Sequence, residues 1–185
     1  MIDHLNTTSA GDGLTIVLYM YCFYKDRSQQ SLANITAGLL KQLIQALKLV
    51  PDQIKDLYEA SMRNHSRPKQ GDLSNVLRTE LRRFRKVFIV VDALDEYSES
   101  ETAQESLVDE LQSLREISNL MVTSRPVSPF IAAFDDAMHI VVSADNADVR
   151  RYLTSQMSSL PTCVRNKPAL QELIVQTITG AVEGM

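Results

Sequence analysis

Five consecutive apolar residues, Val87-Phe88-Ile89-Val90-Val91, run straight into Asp92, and no other stretch constrains the fold of this chain as tightly. A strand without polar alternation has both faces covered, as in a parallel sheet packed between helices. Residues 14–24, 119–123 and 138–142 repeat that character. Between the strands the apolar period changes. Leu32, Ile35, Leu39, Leu40, Leu43 and Leu47 recur at helical spacing and predict a helix of about 18 residues. Pro51 opens a second helix with Ile54, Leu57, Tyr58 and Met62 on one face. Asp72 or Ser74 is expected to cap a third, running to Phe84. Further helices are predicted over 101–117, 129–134, from Asp145 or Asn146 through Met157, and from Pro168 to about Ile178. Residues 1–10 read as a helix tail or a loose end, and Gly11-Asp12-Gly13 as a turn. Strands alternating with helices at crossover lengths predict a parallel, three-layer α/β sheet.

The chain has 185 residues, enough for one domain with a real core. Net charge is -4 without a dominant basic block, which argues against nucleic acid as a partner. Arg82, Arg83, Arg85 and Lys86 read as a solvated helix end before a strand. Cys22 and Cys163 match neither a zinc spacing nor a disulfide framework, and Cys22 is expected to be a small buried hydrophobe. The longest apolar run, Leu14 to Tyr24, is too short for a membrane-spanning helix, and Met1-Ile2-Asp3-His4 does not open a signal peptide. A cytoplasmic, reducing setting is the expectation.

Parallel sheets place ligand sites beyond the carboxyl ends of their strands, and there the acidic residues gather. Asp92 is positioned to hold a metal, with Asp95 and Glu96 three and four residues on. Magnesium keeps several waters, so one or two carboxylates suffice beside phosphates. Asp95 or Glu96 could orient or deprotonate a water. Ala93 is small enough for close approach of a phosphate or of neighbouring backbone. Arg125 follows the strand 119–123 and is placed to contact a terminal phosphate, with Thr123 and Ser124 as further donors. The plainer alternatives are a capping Asp92, a salt bridge from Arg125 to Asp92 or Glu96, and hydroxyls that satisfy local backbone. His4, His65 and His139 form no ligand set, and the chain has no Gly-x-Ser-x-Gly elbow.

Four segments carry a family resemblance: Phe23-Tyr24-Lys25-Asp26-Arg27, the run from Val87 to Tyr97, Val122-Thr123-Ser124-Arg125-Pro126, and Asp148-Val149-Arg150-Arg151-Tyr152-Leu153. Together they resemble the NACHT branch of the signal-transducing (STAND) P-loop NTPases, especially the fungal nephrocystin-3-like amino-terminal modules. The resemblance implies that Asp92 belongs to a Walker B motif and assists magnesium. It implies that Asp95 and Glu96 support hydrolysis of ATP or GTP and that Arg125 reads the terminal phosphate. It implies a nucleotide-gated switch in signal transduction, often followed by ankyrin, WD40 or other repeats, with protein partners or self-association.

The sequence departs from that family at one point of chemistry. No Gly-x-x-x-x-Gly-Lys-[Ser/Thr] loop is present, so the backbone nitrogens and lysine that cradle phosphates are missing. Residues 1–13 are expected to be the remnant of the helix after that loop and a turn. Residues 14–143 are expected to form an incomplete NTPase core, and 144–185 a helical extension. The expected consequence is a partial switch module that binds nucleotide poorly alone. The alternative is a non-enzymatic interaction module.

Overall fold

A computed structural model describes residues 2–9, 13–26, 30–97, 100–126, 130–143 and 145–182. The chain divides into two compact units, residues 1–136 and 137–185.

The first unit is a parallel α/β sheet. Strand β1 (Thr15–Tyr21), β2 (Lys86–Asp92) and β3 (Asn119–Val122) lie in the order β1-β2-β3, all parallel. Ile16 pairs with Val87 and Tyr21 with Asp92; Ile89 pairs with Leu120 and Val91 with Val122. Helix α1 (Ile2–Ser9) packs against β1. Helices α2 (Leu32–Leu47), α3 (Asp52–Arg63) and α4 (Gln70–Leu81) form the first crossover, and α5 (Glu101–Arg115) the second. A short α6 (Phe130–Ala133) packs on α5.

Parallel crossovers are right-handed, and strand order here advances in one direction. Both crossovers therefore fall on one face, where α2 meets β1, α4 and α5, and α5 meets β3. That face buries Ile16, Leu18, Val87, Ile89 and Val91 against Leu43, Leu77, Leu81, Leu107, Leu111 and Leu114. The opposite face is only partly covered. Thr15, Val17, Tyr19 and Phe88 are half-buried there, and Tyr21 and Met121 are exposed. Of the three layers expected, the described residues show the parallel sheet and one full helical layer on it. Covering both faces requires a reversal of strand order, which the described residues do not contain.

Local chemistry sets the element ends. Ser31 caps α2, its Oγ accepting from the Asn34 amide at 3.3 Å, and Lys48 closes the helix in the left-handed region at φ 55°. α4 begins at Gln70, ahead of the expected caps at Asp72 and Ser74. Ser74 is instead drawn into a polar link between helices. Gln70 Nε2 donates to Thr36 Oγ1 and Ser74 Oγ, both at 2.9 Å, and Ser74 donates to Glu110 Oε2 at 2.8 Å.

β1 is shorter than the expected 14–24 because its ladder ends where β2 ends, at the pairing of Tyr21 with Asp92. The Cys22 amide donates to the Asp92 carbonyl at 2.9 Å, so even-numbered residues face β2 and odd ones face outward. Gln42 of α2 takes the outward Tyr19, accepting from its amide at 3.0 Å and donating to its carbonyl at 2.7 Å. Gln30 does the same to Phe23, at 3.3 Å both ways. Two side-chain amides thus stand where a neighbouring strand would be. Among the described residues no strand flanks β3 on its outer side.

The second unit is helical: α7 (Asn146–Gln156), α8 (Thr162–Arg165) and α9 (Pro168–Val182). Asp145 caps α7 by accepting from the Ala147 amide at 2.6 Å. α7 and α8 both pack on α9, with Met157 and Val175 buried and Arg150 3.4 Å from Glu172. The strand expected at 138–142 is absent: this segment is irregular, with Met138, Ile140, Val141 and Val142 between 78% and 91% exposed. A strand exists only by sharing a backbone ladder, and among the described residues this segment joins no sheet. Among the described residues no helix is long and apolar enough to cross a membrane.

Candidate functional site at the carboxyl edge of the sheet

β2 delivers Asp92 to the rim because its apolar side chains fix it at the sheet's centre. The chain then turns sharply. Ala93 lies in the left-handed region at φ 54°, a conformation costing a residue with a Cβ about 1 kcal/mol or more. Hydrogen bonds hold it there. The Ala93 amide donates to Thr123 Oγ1 and the Leu94 amide to the Thr123 carbonyl, both at 2.9 Å. A single 3-10 turn, Leu94–Glu96, follows. Leu94 and Tyr97 are buried at either end, so the turn is anchored while Asp95 and Glu96 face the rim.

β3 supplies the other half. Its ladder continues one step as the Thr123 amide donates to the Val91 carbonyl at 2.9 Å. The Thr123 hydroxyl then donates to Asp92 Oδ1 at 2.5 Å while accepting from Ala93. The Arg125 amide donates to Asp95 Oδ1 at 3.1 Å. Its guanidinium places Nε 3.1 Å from Asp95 Oδ2 and Nη2 3.5 Å from Glu96 Oε1. Arg125 is 70% exposed, whereas Asp95 and Glu96 are 15% and 23% exposed, so the arginine lies over the carboxylates from the solvent side.

The structure therefore brings Asp92, Asp95, Glu96, Thr123 and Arg125 onto one rim. The salt bridge goes to Asp95 and Glu96. Asp92 is held by Thr123. Ser124 turns away: its hydroxyl lies 3.3 Å from the Arg125 carbonyl and touches none of the acids. The segment from Phe23 to Arg27 carried a family resemblance in the sequence but no part in the rim, and here sequence reasoning fell short. The Tyr24 amide, just beyond β1, donates to Glu96 Oε2 at 3.2 Å. Beside it Phe23 and Tyr24 form an edge-to-face pair with centroids 5.3 Å apart, and Lys25 Nζ lies 5.9 and 5.6 Å from the two ring centres.

Cys22 lies beneath the rim. Burial, and then the negative charges of Asp95, Asp92 and Glu96, push its thiol up to about 12. Burial, followed by Cys22, also raises Tyr97. Among the described residues no three His, Cys, Asp or Glu side chains cluster as a self-sufficient metal cage. Asp92 nevertheless suits a hard cation that keeps its waters, because among the described residues only Oδ1 of its carboxylate is engaged.

A search of curated proteins gives no match to the chain. The family described as Nephrocystin 3, N-terminal matches residues 1–125, a span that holds the whole sheet and ends on Arg125 itself. Since that match takes in both halves of the rim and well over half of the sequence, the chain belongs to the Nephrocystin 3, N-terminal family.

Proposed function

We propose that this rim is the metal-and-sensor half of a nucleotide-dependent signalling switch of the NACHT type, within the STAND P-loop NTPases. The observation that carries the reading is Arg125 reaching from the end of β3 to Asp95 and Glu96 beyond β2, with Thr123 fastening Asp92 between them. Asp92 is the Walker B carboxylate and would hold magnesium through water. When bound, the metal neutralises charge on phosphate oxygens. Asp95 and Glu96 would orient or deprotonate water, and Arg125 would read a terminal phosphate of ATP or GTP.

In the arrangement described, Arg125 is neutralised by two carboxylates, so a phosphate must compete with them for it. The 185 residues also contain no glycine-rich phosphate loop. Both features support weak nucleotide binding by this chain alone. They equally favour the second reading, an interaction module without nucleotide, for which the exposed Met121 on β3 offers a contact surface.

Backbone-amide NMR during a magnesium titration tests the proposal. Shifts confined to Asp92, Asp95, Thr123 and Arg125, abolished by Asp92→Asn, are the expected result. Unshifted amides at all four positions would remove the metal-binding role and leave the interaction module. Calorimetry with magnesium-ATP is expected to show no micromolar binding, and micromolar affinity would overturn the incomplete-site reading.

A further inference from the structure

α3 carries a strongly one-sided apolar pattern yet contributes no buried residue to the core. Its stripe of Ile54, Leu57, Tyr58 and Met62 follows the i, i+3, i+4, i+8 spacing that normally zips one helix onto another. α2 presents a matching stripe through Leu40 and Ile44. The stripes do not close on each other. They line opposite walls of an open cavity of about 560 Å³, floored by Leu73 of α4 and bounded by the α3–α4 loop. Tyr58 and Met62 remain 64% and 58% exposed along it.

The charges around this cavity are one-signed. Lys41, His65 and Arg67 contribute to its wall, and no aspartate or glutamate does, in a chain whose net charge is -4. All three are exposed residues of that wall. Among the described residues none of them forms an ion pair. The volume falls within the range of small-molecule sites and the walls are apolar. An aliphatic chain would supply the contacts that the two stripes fail to make, and an anionic head would meet these basic side chains.

We propose that the cavity between α2 and α3 binds a fatty acid, its alkyl chain between Ile44 and Leu57 and its carboxylate at Lys41 and Arg67. The site is remote in sequence from the acidic rim and does not depend on the nucleotide reading.

Titration of the whole chain with cis-parinaric acid, whose fluorescence rises in an apolar environment, tests this directly. The expected result is saturable one-to-one binding, displaced by laurate and not by dodecanol or dodecyltrimethylammonium. The double substitution Lys41→Glu and Arg67→Glu is expected to weaken binding by about tenfold or more, with an unchanged melting temperature. Ser61→Phe, which fills the cavity from α3, is expected to block the chain, and circular dichroism establishes that each variant is folded. Equal displacement by the neutral or cationic amphiphile, or unchanged affinity in the folded charge-reversal variant, would overturn the proposal. So would displacement of the probe by an acidic amphipathic helix but not by laurate, which would make the groove a peptide site.

Discussion

The Thr123 hydroxyl donates to Asp92 Oδ1 at 2.5 Å and accepts from the Ala93 amide at 2.9 Å, joining β3 to the strained turn beyond β2. One side chain thereby fixes the orientation of the rim carboxylate and satisfies a backbone donor in the left-handed turn. Thr123 thus positions Asp92, and its hydroxyl is already engaged twice.

Thr123→Val preserves shape and removes both bonds. The Ala93 amide is left part-buried without its acceptor, so the variant is expected to lose about 1–3 kcal/mol in urea unfolding. Thr123→Ser keeps the hydroxyl and is expected to recover most of that loss. Equal stability of the valine variant and the parent would show that the turn holds itself.

Arg125→Ala is expected to behave differently. Its ion pairs to Asp95 and Glu96 lie under a largely exposed guanidinium, and such pairs contribute about 1 kcal/mol or less. The loss should shrink further in high salt. A loss of several kcal/mol would mark Arg125 as structural first.

Cys22 makes alkaline stability measurable. Its thiol rises from 9.0 to about 12 on folding, so above pH 9.0 the unfolded chain gives up a proton that the folded chain keeps. The folded state then binds more protons, and stability falls as pH climbs from 9.0 toward about 12. The slope approaches about 1.4 kcal/mol per pH unit. Below the lower value this contribution is fully present. Cys22→Ala is expected to flatten the decline, with Tyr97, also raised, supplying what remains. Alkylation mapped by mass spectrometry is expected to label exposed Cys163 and spare Cys22.

The two flanks of the sheet predict opposite responses to mutation. Gln42→Leu strips Tyr19 of both outer-edge partners and is expected to lower stability by about 1–3 kcal/mol and increase aggregation. Met121→Lys places a charge on the unflanked strand and is expected to reduce self-association in light scattering without altering the melting temperature. Unchanged scattering would show that association does not use β3.

Much of this was readable in the residues, and the exceptions share a cause. β2 follows from an unbroken apolar run and α2 from its leucine period, because each pattern has one structural solution. Asp92 and Arg125 were legible as rim residues, since the ends of parallel strands are where polar side chains collect. The pairing of Arg125 with Glu96 was legible too, as the salt bridge the sequence allowed, but the closer partner Asp95 and the tie from Thr123 to Asp92 were not. The guanidinium meets Asp95 through a left-handed turn at an alanine, and nothing in an alanine announces that backbone. β1 stops at Tyr21, where its partner β2 ends at Asp92; beyond it Gln30 takes the outward backbone of Phe23 and Glu96, 72 residues on, takes the amide of Tyr24. The segment 138–142 carries strand-forming side chains, but periodicity cannot supply the neighbour that makes a strand.

A sheet blunted on one side has a direction. Two copies meeting along β3 would present Gln42 and Gln30 at both far margins, where they interrupt the outward ladder at Tyr19 and Phe23. Lateral growth of this kind is hindered beyond a pair, where a sheet bare on both margins could go on adding copies.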